Sequence, residues 1–93
     1  MAAISGKKTV AAAGTAECLG TGKCTGDLMI KALIANTGYV YVGNDGAGDV
    51  ASTNGQELSA GEFIVMENLA QLNHIFLDVS VNGEGVSWLI LKA

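Results

Sequence analysis

Proline and arginine are absent from this 93-residue chain, histidine occurs once and cysteine twice. Each scarcity removes a class of explanation. Lys7, Lys8, Lys23, Lys31 and Lys92 are scattered along a chain of net charge −4. There is no basic stripe to follow a phosphate backbone, so nucleic acid is not an expected partner. A lone His74 cannot complete a catalytic triad without a nucleophile and an orienting acid. On an extended strand Asp78 and Ser80 would lie about 13 Å or more from it, at ~3.3 Å per residue. Cys18 and Cys24, in CLGTGKC, are too few for a disulfide framework or a four-ligand zinc site. They leave two readings open, a bridge across a short hairpin or two reduced, partly buried thiols, and cytosolic synthesis favours the second. No apolar run approaches the ~20 residues that span a bilayer, and MAAISGKKTVAAAG lacks the apolar core of a signal peptide. A soluble protein made in the cytoplasm, with no membrane partner, is expected.

Charged residues are also scarce, at 15%, while hydrophobic residues reach 49%. That is too apolar for a disordered tail and low in charge for a soluble monomer. Part of the apolar surface is therefore expected to be covered by another chain. A domain this small buries only about 60% of its unfolded surface, which points the same way.

Glycine is abundant, with 13 residues, and nearly all of them separate short apolar runs. Such punctuation predicts an all-β fold, a small antiparallel β-sandwich or jelly-roll-like barrel of about seven to eight short strands. Strands are expected at 8–13, 16–19, 28–36, 39–43, within 56–67 on either side of a Ser59–Glu62 turn, at 74–81 and at 86–92. Asn36-Thr37-Gly38 predicts a hairpin joining 28–36 to 39–43, with Gly38 free to take positive φ. VNGEG predicts a second hairpin joining 74–81 to 86–92. In 74–81, Ile75, Leu77, Val79 and Val81 share one face, while His74, Phe76, Asp78 and Ser80 share the other. In 67–75, Leu69, Leu72 and Ile75 have helical spacing, which fits a single helical turn or an anchored loop. Residues 1–7 read as a flexible N-terminal arm and 8–93 as one β-sandwich domain.

The stretch NTGYVYVGNDGAGD raises the question of a ligand site. Asn44, Asp45 and Asp49 are oxygen donors, but no glutamate follows at the spacing an EF-hand requires. Asn and Asp between glycines fit a turn that bonds its own backbone. Tyr39 and Tyr41 would share one strand face and form the best candidate platform for a sugar. The carboxylates Glu57, Glu62, Glu67, Asp78 and Glu84 fall on different turns, so no facing pair for glycoside hydrolysis is expected. No nucleotide fingerprint or metal-ligand spacing is present. The residues predict no enzyme, no cofactor and no metal.

Three segments, IKALIANTGYVYVGNDG, NGQELSAGE and GEGVSWLIL, together resemble small β-rich virion proteins of tailed bacteriophages. The resemblance covers roughly residues 28–92, and AECLGTGKCTGD departs from it. It implies a capsid decoration, or cement, protein that binds the outer surface of the head, contacts the major capsid protein and stabilises the shell. It also implies self-association, as a homotrimer, and localisation on the virion after synthesis in the host cytoplasm. The alternative is a tail, fibre or head-spike component, or a carbohydrate-binding module for host attachment. Assembly would use apolar side chains that the monomer core does not need, with Leu89, Leu91, Met66, Phe76 and Trp88 as candidates. The last strand is apolar on both faces, and a slip of one residue would exchange them.

Overall fold

In the computed structural model, residues 5–21, 26–44, 49–67 and 71–90 are described. They form eight strands: β1 (Ser5–Thr9), β2 (Glu17–Cys18), β3 (Leu28–Ala32), β4 (Val40–Gly43), β5 (Gln56–Leu58), β6 (Phe63–Met66), β7 (Phe76–Val79) and β8 (Gly85–Ile90). A single 3-10 turn, Leu72–His74, precedes β7. It falls where helical spacing was read, although Leu69 lies outside the described residues.

The strands build two four-stranded sheets, ordered β1-β8-β3-β6 and β2-β7-β4-β5. Every pairing is antiparallel. β1 pairs with β8, β2 with β7, β3 with β6 and β4 with β5. This is the pattern of one long two-stranded ribbon folded at β4–β5 and then rolled up. The β8–β3 and β7–β4 pairings fasten the roll. It is the strand order of an eight-stranded jelly roll, open here as a sandwich rather than closed as a barrel.

Both expected hairpins are overturned. β3 and β4 lie in different sheets, and so do β7 and β8. Glycine and asparagine signals fix where the chain reverses but not which sheet it enters next. Gly83 does take φ 82°, and its N–H bonds Val10 O at 2.8 Å, so the turn is tied to the end of β1 rather than closing a two-stranded hairpin. Residues 33–39 cross the sandwich instead of forming a tight turn. They are held by Glu84, whose carboxylate accepts the N–H groups of Thr37 and Gly38 at 2.7 and 2.9 Å. Gly38 is not among the positive-φ glycines. It is needed for space, since a Cβ there would lie 2.9 Å from Val81 Cγ2 and closer still to Ser80 Oγ.

The boundaries also move. The first strand, expected at 8–13, runs over Ser5–Thr9, so residues 5–7 of the expected arm belong to the sheet, paired with Leu89, Trp88 and Ser87. Alanine is a weak strand former, and Ala11–Ala13 are exposed beyond the buried Val10. The 56–67 reading holds: Glu62 Oε1 accepts Ser59 N at 2.7 Å and Ser59 Oγ at 2.8 Å in the turn between β5 and β6.

The core fills the space between the sheets. Leu28, Ile30, Ala32, Val86, Trp88 and Ile90 come from one sheet, and Val40, Val42, Leu58, Leu77 and Val79 from the other. Val10, Leu19, Leu72 and Ile75 close its ends. Alternation along each strand sends the intervening side chains outward. That alternation defines the two outer faces on which any site must lie.

Candidate functional site

The two outer faces are treated differently. On the β2-β7-β4-β5 sheet, Tyr41 and Asp78 are opposite one another across β4 and β7 and point away from the core. Both are nevertheless buried, with 8% and 4% exposure. Two loops cover them. Gly14 donates its N–H to Asp78 Oδ1 at 2.9 Å. Gly55 sits so close to Tyr41 and Val50 that a Cβ there would come within 2.7 and 2.8 Å of them. Asp78 Oδ1 also accepts its neighbour's N–H, from Val79, at 2.8 Å. A buried carboxylate held by main-chain donors is a structural tie.

The β1-β8-β3-β6 sheet carries no such cover among the described residues. Its registers place Leu89 opposite Met29, and Met29 opposite Val65, in one row across three strands. The next row runs Lys7, Ser87, Lys31, Phe63. Phe63 is 59% exposed, Val65 48% and Leu89 37%, and Ile34 just beyond β3 is 75% exposed. Large apolar side chains gathered in this way on one sheet face make it the candidate interaction surface. An open hollow of about 210 Å³ lies at one end, lined by Lys7, Lys31, Ala32, Leu33, Ile34 and Ser87.

The charge on this face opposes that of the chain. Among the described residues the only ion pair is Lys8 with Glu17, at 2.9 Å. Lys7 and Lys31 therefore offer unneutralised ammonium groups beside the apolar rows of an acidic protein. Glu17 is committed to its own loop. The Ala11 N–H, with Lys8 second, holds its carboxyl below the usual value. Such a face suits a partner with apolar side chains and some acidic rim.

The residues singled out from sequence are scattered over the molecule. Leu89 is on the open face, and Leu91 lies outside the described residues. Trp88 is not an interface residue: it is 8% exposed, belongs to the core and packs so closely on Gly6 that a Cβ there would come within 2.7 Å of its ring. Met66 also turns inward, partly buried against the core. Phe76 is half-buried on the opposite sheet, far from Leu89 in strand order. The two-tyrosine platform does not form, because Tyr39 is 45% exposed while Tyr41 is buried beneath the 50–55 loop. In the acidic loop, Asp45 lies outside the described residues. Asn44 donates to His74 O at 2.8 Å, and Asp49 Oδ1 accepts Val50 N at 2.8 Å, as a turn-forming Asp does. Cys18 is a free, half-buried thiol on β2, and Cys24 lies outside the described residues.

Met29, Lys31, Phe63, Val65 and Ile34 are the residues that sequence reasoning passed over. Their signal was present, since 28–33 alternates and 63–66 is apolar on both faces. The alternation alone does not say which set faces the core. Comparison with known protein families, curated proteins and solved structures finds no match, so the assignment of this face rests on its own residues and geometry.

Proposed function

We propose that this protein is a non-catalytic structural module that attaches to a larger protein assembly through the outer face of its β1-β8-β3-β6 sheet. The setting we favour is the head of a tailed bacteriophage, with the protein decorating the shell built by the major capsid protein. The observation that carries the reading is the uncovered apolar row Leu89–Met29–Val65 with Phe63 beside it, flanked by Lys7 and Lys31. The jelly-roll order supports it less directly. That frame serves capsid domains but also lectins and cupins, so the fold alone does not select a function. The sequence resemblance adds the phage context. In that setting a small module binds a shell firmly by engaging several sites at once, which requires a face to dock with and no catalytic group.

The test is co-sedimentation of the purified protein with shells assembled from the capsid protein encoded in the same genome. Leu89→Asp should abolish co-sedimentation and leave the thermal unfolding curve close to that of the parent, because Leu89 points away from the core. Binding by the Leu89→Asp variant equal to the parent would remove this face from the attachment. Failure of the parent to bind any such shell would remove the capsid reading.

A further inference from the structure

Each sheet has two edge strands, and an edge strand presents unpaired N–H and C=O groups that invite another strand. Three of the four edges here carry a recognised protection. β1 reads SGKKT, with two lysines and no large apolar side chain. β2 is only two residues long. β5 is three residues, with Gln56 and Glu57 exposed. β6 is different. It reads FIVM, with no charge, glycine or proline, and its outward side chains Phe63 and Val65 are both exposed. Its inward side chains, Ile64 and Met66, are only partly buried at the rim of the core.

The free groups on β6 can be assigned. Ala32 N donates to Glu62 O at 2.9 Å. In an antiparallel ladder the bonded positions alternate, so Ile64 and Met66 also turn their main-chain groups toward β3. The N–H and C=O groups of Phe63 and Val65 therefore point to the open edge. On the other side of β3, Leu33 N donates to Gly85 O at 3.1 Å, which fits the same alternation.

We infer that β6 pairs antiparallel with β6 of a second copy, about a two-fold axis at Ile64. In that register Phe63 faces Val65 of the second copy, and the two residues exchange both their N–H and C=O groups. Ile64 faces its own mate on the core side and completes the rim. Glu62 faces Met66 rather than an acid. An axis at Val65 would set Phe63 against Glu67, so the side chains choose Ile64. The pairing also joins the two open faces, running Leu89–Met29–Val65 of one copy into Phe63 of the other. A two-fold contact of this kind is self-complementary, as an isologous interface must be. The occupant is thus a second copy of this chain, and the expected stoichiometry is a dimer rather than the trimer suggested by resemblance.

The test is the mass of the full chain by light scattering, followed by crosslinking. The parent should run near twice 9.4 kDa. Val65→Lys should halve that mass with an unchanged circular dichroism spectrum, since the side chain is outward. Val65→Pro should do the same, because it removes an N–H that β3 does not use. With Cys18 and Cys24 replaced by serine, Ile64→Cys should oxidise to a covalent dimer, the facing Cα atoms being about 4.5 Å apart in a non-bonded pair. A parent that is a monomer or a trimer would overturn the inference. So would a dimer unaffected by both Val65 variants. A dimer crosslinked by Val65→Cys and not by Ile64→Cys would overturn the register. None of these results touches attachment to a shell, which is read by Leu89→Asp in the sedimentation assay.

Discussion

Gly85→Ala should be among the most damaging single-atom changes available in this protein. Gly85 opens β8, pairs with Thr9 of β1 and is buried. A Cβ there would lie 2.0 Å from Lys8 O, 2.7 Å from Thr9 Cα and 2.9 Å from Lys8 C. All three are main-chain atoms, so no side chain can rotate away. The first distance is more than an ångström short of the 3.4 Å at which ordinary contact begins. β1 would have to move off β8 where Val10 N donates to Glu84 O and Gly83 N to Val10 O, at 2.9 and 2.8 Å. Overpacking costs about 1–3 kcal/mol, and each main-chain bond stretched or lost adds about 1 kcal/mol. A loss of about 3–5 kcal/mol follows, a large share of the ~5–15 kcal/mol typical of a domain. At ~4–8 °C per kcal/mol the midpoint should fall by at least roughly 12 °C. Gly83→Ala is the control. Gly83 has φ 82° but open space around its missing Cβ, so only the left-handed backbone is penalised, at about 1 kcal/mol. Urea and thermal unfolding of the two variants would measure the difference. Equal losses, or a Gly85→Ala loss below about 1 kcal/mol, would refute the argument that the β1–β8 approach is what requires glycine.

Acid should weaken the fold. The carboxyls of Glu84, Glu62 and Glu17 are all held below the ordinary glutamate value of 4.5, chiefly by the N–H groups of Thr37, Ser59 and Ala11. A depressed carboxyl contributes stability that is fully present above 4.5 and is lost as pH falls through its lower folded value. The thermal midpoint should therefore be flat above about pH 5.5 and fall below about pH 4.5, and Glu84→Gln should lower it at pH 7 while shrinking the acid-dependent part. A midpoint unchanged down to pH 3 would contradict the bonds assigned to these groups. Asp78→Ala should cost about 2–3 kcal/mol in urea unfolding by stranding the N–H groups of Gly14 and Val79, whereas Asp78→Asn, which retains an acceptor, should cost less. Calcium and chelator should both leave the midpoint unchanged, since Asp49 and Asn44 already bond to Val50 N and His74 O.

Much of the fold was legible because alternation and glycine are local signals. The opposite faces of Leu77 and Val79 against Phe76 and Asp78 follow from period two, and the turn at Ser59–Glu62 follows from its Ser-Ala-Gly-Glu turn residues. Sheet membership was not legible. The Asn36–Gly38 and Asn82–Gly83 signals fix reversals, but the choice of sheet depends on bonds such as Thr37 N to Glu84, between residues 47 apart in sequence. Asp78 was read as a polar-face residue, and nothing in its neighbours announces the loop through Gly14 that buries it. Trp88 and Met66 were misplaced for another reason. Their strands are apolar on both sides, so the pattern cannot choose a face.

The open face and the open edge meet on one strand. Phe63 and Val65 belong to the apolar rows by their side chains and to the free edge by their main-chain groups. A side-chain substitution on β6 therefore perturbs both contacts and cannot rank them. Leu89, on β8, is two strands away from that edge and reports on the face alone. Proline at position 65 removes an edge N–H and keeps an apolar side chain, so it reports mainly on the edge. If attachment to a shell needs the paired form, Val65→Pro should weaken sedimentation as well as halve the mass, because two copies joined at β6 present twice the docking surface on one rigid sheet. If attachment needs only the face, Val65→Pro should halve the mass and still sediment, while Leu89→Asp should stay paired and fail to bind.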